Sequence, residues 1–289
     1  MVPVHEHARF VPHALCLTMR LLERQSDGYL VLRDFTGRDV PAYAILSHTW
    51  NKEEVTFQEV EAGTGKHKAG WKKIDFCAIQ AGADSLQYFW VDTCCINKSS
   101  DAELSEAINS MYRWYSRASK CYVYLSDVSV SEMHDNTFQP AWDAPFRASK
   151  WFSRGWTLQE LLAPSSVEFF SRNHKRLGNK SSLSQQIHEI TGIALSALQG
   201  TSLSHFSVDE RFKWAQDRNT TREEDSAYCL LGIFNISMPV IYGEGRDRAV
   251  NRLRKEINEA LNTNSQDMST YSAVYCNSPQ HRGTSSLIE

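Results

Sequence analysis

The sequence has 289 residues, of which 42% are hydrophobic and 22% are charged, as in an ordinary globular protein that can bury a sizeable core. Its formal net charge of −3 argues against a nucleic-acid-binding surface, and no apolar run approaches the roughly 18 residues that span a bilayer. Seven cysteines without a Cys-x-x-Cys pair favour free thiols in the cytoplasm over disulfides or a metal site.

The first 18 residues predict a flexible lead, because their short apolar pieces are broken by prolines and do not form a secretory signal. The first predicted strand is Tyr43-Ala-Ile-Leu-Ser-His-Thr-Trp50, which is apolar at its start and polar at its end. A continuous apolar run indicates a strand buried on both faces, as in a parallel sheet. The polar end, with Ser47 and His48, would then lie at the carboxyl edge, where α/β folds bind ligands.

Helices and strands alternate along the next stretch. Trp71–Ala83 predicts a helix, and Tyr88–Ile96 predicts a second strand with the same apolar-to-polar order. Ser100-Asp-Ala-Glu103 fits a capping box, which opens an amphipathic helix that reaches Ala118. A third strand is predicted at Cys121–Leu125.

The segment Trp151-Phe-Ser-Arg-Gly-Trp-Thr-Leu-Gln-Glu-Leu-Leu162 predicts a turn followed by a short helix. Its leucines share one helical face, whereas Trp156 and Glu160 lie on another. Docking through the leucines does not explain a carboxylate beside a tryptophan. A fourth strand follows at Val167–Phe170, so residues 19–170 predict an α/β part with a parallel sheet flanked by helices.

Beyond the fourth strand, residues 171–261 predict a mainly helical C-terminal extension without a strand pair. Thr221-Arg-Glu-Glu224 fits a second capping box, and Gly243-Glu-Gly245 predicts a turn because it lacks the spacing of a phosphate-binding loop. Residues 262–289 are rich in Ser, Thr, Asn and Gln and predict a disordered tail. The helices predicted in the extension are Ser184–Thr191, Val208–Asp217, Arg222–Phe234 and Arg246–Leu261.

Several long sequence motifs resemble those of the fungal heterokaryon incompatibility (HET) domain. They are Tyr43-Ala-Ile-Leu-Ser-His-Thr-Trp50, Trp90-Val-Asp-Thr-Cys-Cys-Ile-Asn97, Ser153-Arg-Gly-Trp-Thr-Leu-Gln-Glu-Leu161, and Thr221-Arg-Glu-Glu-Asp-Ser-Ala-Tyr228 with Tyr242-Gly-Glu-Gly245. The resemblance assigns residues 19–261 to one HET domain. It implies a cell-death effector of the incompatibility and innate-immunity type, with an upstream nucleotide-binding receptor or activator protein as partner.

A more distant resemblance is to the TIR domain, which has a flavodoxin-like sheet and signals by self-association. The order of strands and helices through residue 170 is similar, and Trp156-Thr-Leu-Gln-Glu160-Leu lines up with a TIR segment whose Glu serves enzymes that cleave NAD. The resemblance implies that Glu160 is catalytic in hydrolysis of the nicotinamide–ribose bond. The sequence differs from the TIR pattern in two places. Thr157 stands where the TIR segment has Cys, and the residues after Asp92 are Thr-Cys-Cys.

The implied reaction needs only one carboxylate from the protein. Breaking the bond develops positive charge on the ribose, which a nearby carboxylate stabilises. Nicotinamide leaves as a neutral ring, so no acid is needed; NAD is a substrate, and neither a cofactor nor a metal is expected. The candidates for substrate binding are Trp50 and Trp156 for stacking, Arg154 for a phosphate, and Ser47, His48 and Asp92 at the strand ends.

Each candidate also has a plainer structural interpretation. Glu160 could pair with Arg154 or a lysine on the surface, and Arg154 could instead hold loop carbonyls. His48 could be a hydrogen-bonded core histidine, Asp92 could cap a turn, and tryptophans usually anchor cores.

Cys94 and Cys95 raise a separate hypothesis, in which a thiol nucleophile uses His48 as its base. Adjacent residues of a strand point to opposite faces, so at most one cysteine could reach a shared pocket.

Two functions from different classes therefore remain. The first is a TIR-like NAD glycohydrolase whose activity depends on Glu160. The second is a non-enzymatic signalling module that triggers cell death by self-association. The two could be combined if association assembled a pocket across two copies.

Overall fold

The computed structural model describes residues 18–130 and 140–276. The flexible lead predicted for the first residues lies, apart from Thr18, outside this range. Seven strands form one sheet in the order β2-β1-β4-β3-β5-β6-β7. The strands are β1 Thr18–Arg24, β2 Leu30–Thr36, β3 Tyr43–His48, β4 Tyr88–Trp90, β5 Lys120–Leu125, β6 Val167–Ser171 and β7 Arg176–Asn179.

The sheet is mixed, whereas the sequence predicted a parallel one. Its centre, β4-β3-β5-β6, is parallel as expected. The edges are antiparallel, because β1 pairs with both β2 and β4, and β7 pairs with β6. The first two strands form a hairpin that turns at Gly28, whose φ of 81° suits glycine. Edge strands are half exposed and carry polar residues, so the apolar runs that reveal central strands are missing from them.

The helices flank this sheet. They are α1 Phe57–Glu61, α2 Trp71–Ala83, α3 Asp101–Arg117, α4 Asp143–Arg147, α5 Thr157–Leu162, α6 Ser184–Thr191, α7 Leu195–Leu198, α8 Val208–Lys213, α9 Asp225–Tyr228, α10 Leu231–Phe234 and α11 Arg246–Cys276, with 3-10 turns at Lys150–Ser153 and Leu203–His205. No helix in the described ranges is long and apolar enough to cross a membrane.

The core lies on both faces of the sheet, as the continuous apolar strands predicted. Every residue of β3 is buried. On β6, Phe169 and Phe170 point to opposite faces: the ring of Phe170 lies 5.0 Å from that of Phe76 in α2, and the ring of Phe169 lies 5.6 Å from that of Trp151. Two aromatic clusters thus fix the helical layers against the sheet.

The start of α3 confirms the predicted cap but not the full capping box. Ser100 Oγ accepts from the amide of Glu103 at 3.3 Å. The Glu103 carboxylate does not return to the backbone of Ser100; it accepts instead from the Asn97 amide and from Arg20, each at 2.7 Å. The carboxylate thereby joins α3 to the loop after β4 and to β1. These contacts replace the hydrogen bond to Ser100 that a capping box would have.

Three predictions in the helical extension need correction. The extension was expected to contain no strand pair, but β7 lies in it and pairs with β6. The continuous helix expected from Arg222 to Phe234 is broken into α9 and α10. The capping box expected at Thr221 does not form, because the Glu224 carboxylate accepts from the amides of Gly243 and Gly245 at 2.8 and 3.0 Å. Glu224 thus fixes the predicted Gly-Glu-Gly turn.

The last helix, α11, continues past the predicted end at Leu261 to Cys276, into the segment expected to be disordered. The rest of that segment lies outside the described residues.

A close backbone approach joins the extension to the start of α5. The Gly155 amide donates to the Asn219 carbonyl at 2.9 Å, and the Asn219 amide donates to the Ser153 carbonyl at 2.7 Å. A Cβ on Gly155 would lie 2.5 Å from Cγ2 of Thr220, so only glycine fits here without a shift.

Candidate active site

Glu160 lies inside the protein, in the first turn of α5. The residue is 6% exposed, and all six residues of the helix are buried, including the face expected to be polar. Ser47 Oγ donates a short hydrogen bond to Glu160 Oε2 and accepts from Trp151 Nε1 at 2.8 Å. Among the described residues no cation pairs with Glu160, so the surface ion pair considered from the sequence is wrong.

Burial raises the pKa of Glu160 to about 8, because the charged form loses its hydration. The hydrogen bond from Ser47 opposes this rise, and the negative charge of Asp92 adds to it. Glu160 is therefore largely protonated at neutral pH.

A cavity of about 220 Å³ opens above Glu160 at the carboxyl edge of the sheet. Of the seven predicted site residues, six line it and Ser47 lies directly behind Glu160. The lining residues are His48, Trp50, Asp92, Ile96, Lys98, Leu104, Ile108, Met111, Arg154, Trp156, Thr157, Glu160, Thr221, Arg222, Asp225 and Tyr242. The structure thus brings the predicted residues together in one place.

His48 connects the cavity to a buried chain of charges. Lys73 Nζ lies 3.2 Å from His48 Nδ1, and His48 Nε2 lies 3.0 Å from Asp92 Oδ1. An ammonium group only donates, so Nδ1 accepts from Lys73 and Nε2 carries the proton that is donated to Asp92. Lys73 also donates to the Thr49 carbonyl and to Glu54. Both interpretations of His48 hold, since it is hydrogen-bonded in the interior and lines the cavity.

Asp92 faces the cavity instead of capping a turn. Trp50 Nε1 donates to Asp92 Oδ2 at 2.7 Å. Burial raises the pKa of Asp92, but its interaction with His48, the charge of Lys98 and the hydrogen bond from Trp50 outweigh burial and lower it to about 2. The cavity therefore holds one carboxylate that is ionised at neutral pH, Asp92, and a second carboxyl group, Glu160, whose pKa lies close to neutral pH.

The four tryptophans of the predicted segments divide between core and cavity. Trp90 and Trp151 are buried, as core anchors are. Trp50 is 47% exposed, and Trp156 is half-buried beside Glu160. The two tryptophans predicted to stack on a ligand are thus the two that face the cavity.

The helical extension supplies a wall of the cavity that the sequence analysis did not assign. Asp225, at the start of α9, accepts from Trp156 Nε1 at 3.1 Å and from the Tyr242 hydroxyl at 2.9 Å. Burial raises the pKa of Asp225, while these two hydrogen bonds oppose the rise. Asp225 and Tyr242 belong to the sequence motifs that resemble the HET domain, but their spacing does not indicate that they line the cavity.

Arg154 lines the cavity, and its Nη1 lies 3.4 Å from Thr221 Oγ1. The clamp on loop carbonyls considered for Arg154 is provided by Arg218, whose Nη1 donates to the Arg154 carbonyl at 2.9 Å and to Thr157 Oγ1 at 3.0 Å. Arg218 thus fixes the start of α5, and the side chain of Arg154 remains available to the cavity.

Cys94 and Cys95 do not line the cavity. Cys94 Sγ lies 3.8 Å from the Val91 carbonyl, and Cys95 Sγ accepts from the Val91 amide at 3.3 Å. Burial raises the pKa of Cys94 well above its ordinary value, and both ring nitrogens of His48 have other partners. The geometry does not support a thiol nucleophile with His48 as base.

Comparison with known proteins bears out the resemblance to the HET domain. A family model described as heterokaryon incompatibility protein (HET) matches residues 43–142. Vegetative incompatibility protein HET-E-1 of Podospora anserina is 54% identical to the chain over 242 residues. That alignment covers 83% of this chain and 18% of the relative, so the chain spans less than a fifth of the relative's length. No solved structure matches the chain. The chain belongs to the heterokaryon incompatibility (HET) domain family.

Proposed function

We propose that this chain is a cell-death effector domain of the heterokaryon incompatibility type and that it acts by hydrolysing NAD at the nicotinamide–ribose bond, as a TIR-like fold would. The relationship to an incompatibility protein supports the first half of the proposal. One observation carries the second half: Glu160 is buried at the base of a cavity whose rim combines aromatic rings with cations.

The reaction adds water to C1′ of the nicotinamide ribose and breaks the N-glycosidic bond. The bonding electron pair leaves with the ring, which becomes neutral nicotinamide, and the water proton is released with ADP-ribose. Ionised Glu160 stabilises the positive charge that develops on the ribose. Ser47, held by Trp151, fixes the orientation of the carboxylate before the substrate arrives.

The high pKa of Glu160 fits a cationic substrate. A positive pyridinium ring in the cavity favours the ionised carboxylate, because an opposite charge within about 4–6 Å lowers the pKa of a carboxyl group. Asp92, which stays ionised, adds to the attraction for a cation. Trp50 and Trp156 line the same cavity and offer aromatic surfaces on which the ring can stack.

The substitution Glu160→Gln separates this proposal from the non-enzymatic alternative. Gln keeps the size of the side chain and can still accept from Ser47, but it has no charge to offer the ribose. In cells that express the chain, we expect the wild type to lower the NAD content before viability falls, and the Gln variant to do neither. Survival of toxicity in a folded Glu160→Gln variant, with NAD unchanged, would favour signalling by self-association instead.

A matched control is Glu168→Gln. Glu168 lies on β6, pairs with Lys120 and Arg176, and is absent from the cavity. Its substitution removes a glutamate charge without touching the site, so NAD loss and toxicity should match the wild type.

A further inference from the structure

Trp50 holds a carboxylate with its ring nitrogen and a cation on its face. Its Nε1 donates to Asp92 at 2.7 Å, and Lys98 Nζ lies 3.6 Å from the ring centroid. A cation at this distance over an indole is held by the negative face of the ring. The ring thus positions Lys98 at the mouth of the cavity.

Tyr242 repeats this arrangement on the wall contributed by the helical extension. Its hydroxyl donates to Asp225 at 2.9 Å, and the guanidinium carbon of Arg222 lies 3.9 Å from its ring centroid. Arg222 is exposed and Lys98 is half-buried, and both line the cavity. The same chemical unit therefore occurs twice around one opening.

Among the residues that the structure describes, Lys98, Arg222 and Arg154 do not form ion pairs, because no carboxylate lies within 4.0 Å of their charged groups. The neighbouring carboxylates Asp92 and Asp225 accept their hydrogen bonds from His48, Trp50, Trp156 and Tyr242 instead. Three cations that line the cavity thus have no carboxylate in direct contact and can bind an anion.

The size of the cavity indicates which part of a ligand meets the rim. Sites that enclose a drug-sized ligand usually measure about 300–1,000 Å³. This cavity of about 220 Å³ can enclose one half of a dinucleotide above Glu160, which leaves the linking phosphates at the opening.

We propose that Lys98 and Arg222, together with Arg154, bind the diphosphate of the substrate, so that the site selects dinucleotides over nucleosides with the same reacting base. This inference rests on the proposed function, because Glu160 defines which half enters the cavity. Charged donors form hydrogen bonds with phosphate that are stronger than those between neutral groups. The two walls, from the loop after β4 and from the helical extension, then bind one ligand.

The test measures binding of ADP-ribose, which carries the diphosphate and is not cleaved, by calorimetry with the full chain. The variants are Lys98→Met, Arg222→Met and both together. The matched controls are Lys66→Met and Arg254→Met, because these cations lie on the faces of Tyr29 and Phe212, away from the cavity. Nicotinamide riboside, which lacks phosphates, is measured beside ADP-ribose.

We expect each single variant to bind ADP-ribose roughly tenfold more weakly and the double variant to lose more, with a flatter salt dependence. The controls should match the wild type, and affinity for nicotinamide riboside should not change. Equal ADP-ribose affinity in the wild type and the double variant, or no binding by the wild type, overturns the inference.

The outcomes also separate this inference from the hydrolysis proposal. Cation-dependent binding of ADP-ribose without nicotinamide release from NAD supports the diphosphate site and contradicts hydrolysis. Hydrolysis of NAD with the same KM in the double variant supports the proposed function and contradicts the diphosphate site.

Discussion

At the scale of single residues, burial and hydrogen bonding give the two carboxyl groups of the site very different pKa values. Asp92 and Glu160 line one cavity, yet the pKa of Asp92 is lowered to about 2 and that of Glu160 is raised to about 8. The difference arises because Asp92 accepts from His48 and Trp50 and lies near Lys98, whereas the hydrogen bond from Ser47 does not offset the burial of Glu160. Such pairs of separated pKa values are typical of active sites.

The raised pKa of Glu160 makes stability depend on pH. The ordinary value is 4.5, so between pH 4.5 and about 8 the unfolded chain has lost this proton while the folded chain keeps it. The contribution is fully present below pH 4.5 and is lost as the pH rises to about 8, at about 1.4 kcal/mol per pH unit. Glu160→Gln should therefore gain stability relative to the wild type over this range, as measured by urea unfolding at several pH values. Parallel pH curves for the two proteins would contradict the assignment.

Asp92→Asn tests the coupling between the two carboxyl groups. The charge of Asp92 raises the pKa of Glu160, so its removal should lower that pKa. The pH at which Glu160 titrates, followed by the carboxyl carbon resonance in labelled protein, should move down from about 8. An unchanged titration in a variant that keeps its fold would show that the two groups do not interact.

At the scale of secondary structure elements, the buried parallel strands could be predicted and the edges could not. Central strands such as β3 carry continuous apolar runs, since both their faces are covered. The β1 and β2 strands form an edge hairpin, and β7 is only four residues long, so the same pattern is absent.

For a similar reason, the sequence predicts only one wall of the candidate site. Ser47, His48, Asp92 and Glu160 stand at strand ends or in a conspicuous helix, which local patterns reveal. The opposite wall depends on the hydrogen bond between Trp156 and Asp225, which are 69 residues apart in the chain. Pairings of that length leave no local signal in the sequence.

The junction between α5 and the extension gives a prediction at this scale. Gly155→Ala would place a methyl group 2.5 Å from Thr220 Cγ2 and 3.1 Å from Cys229 Sγ. We expect a loss of about 1–3 kcal/mol in the free energy of unfolding, as for other overpacked sites. Gly82→Ala is the matched control: it lies in α2 with nothing within 4 Å of the added carbon, so it should stabilise by up to about 1 kcal/mol. Equal stability of the two variants by urea unfolding would contradict the tight junction.

At the scale of the whole molecule, the α/β part and the helical extension share one cavity and one packing core. Ala249, Leu253 and Ile257 of α11 are buried, so this helix belongs to the folded unit. A chain cut after Gly245 should lose its cooperative melting transition, since each buried Leu or Ile contributes about 1.5–3 kcal/mol. A chain cut after Thr263 keeps these anchors and should melt like the full chain. Circular dichroism of both truncations distinguishes this account from one in which the extension is dispensable.

The central claim is that Glu160 serves hydrolysis of NAD, and release of nicotinamide by purified protein tests it most directly. The wild type, Glu160→Gln and Glu168→Gln would be compared at low and high protein concentration, with each fold checked by circular dichroism. We expect release by the wild type and by Glu168→Gln, and none by folded Glu160→Gln. Release by all three proteins, or by none at any concentration while the chain still kills cells, would contradict this claim.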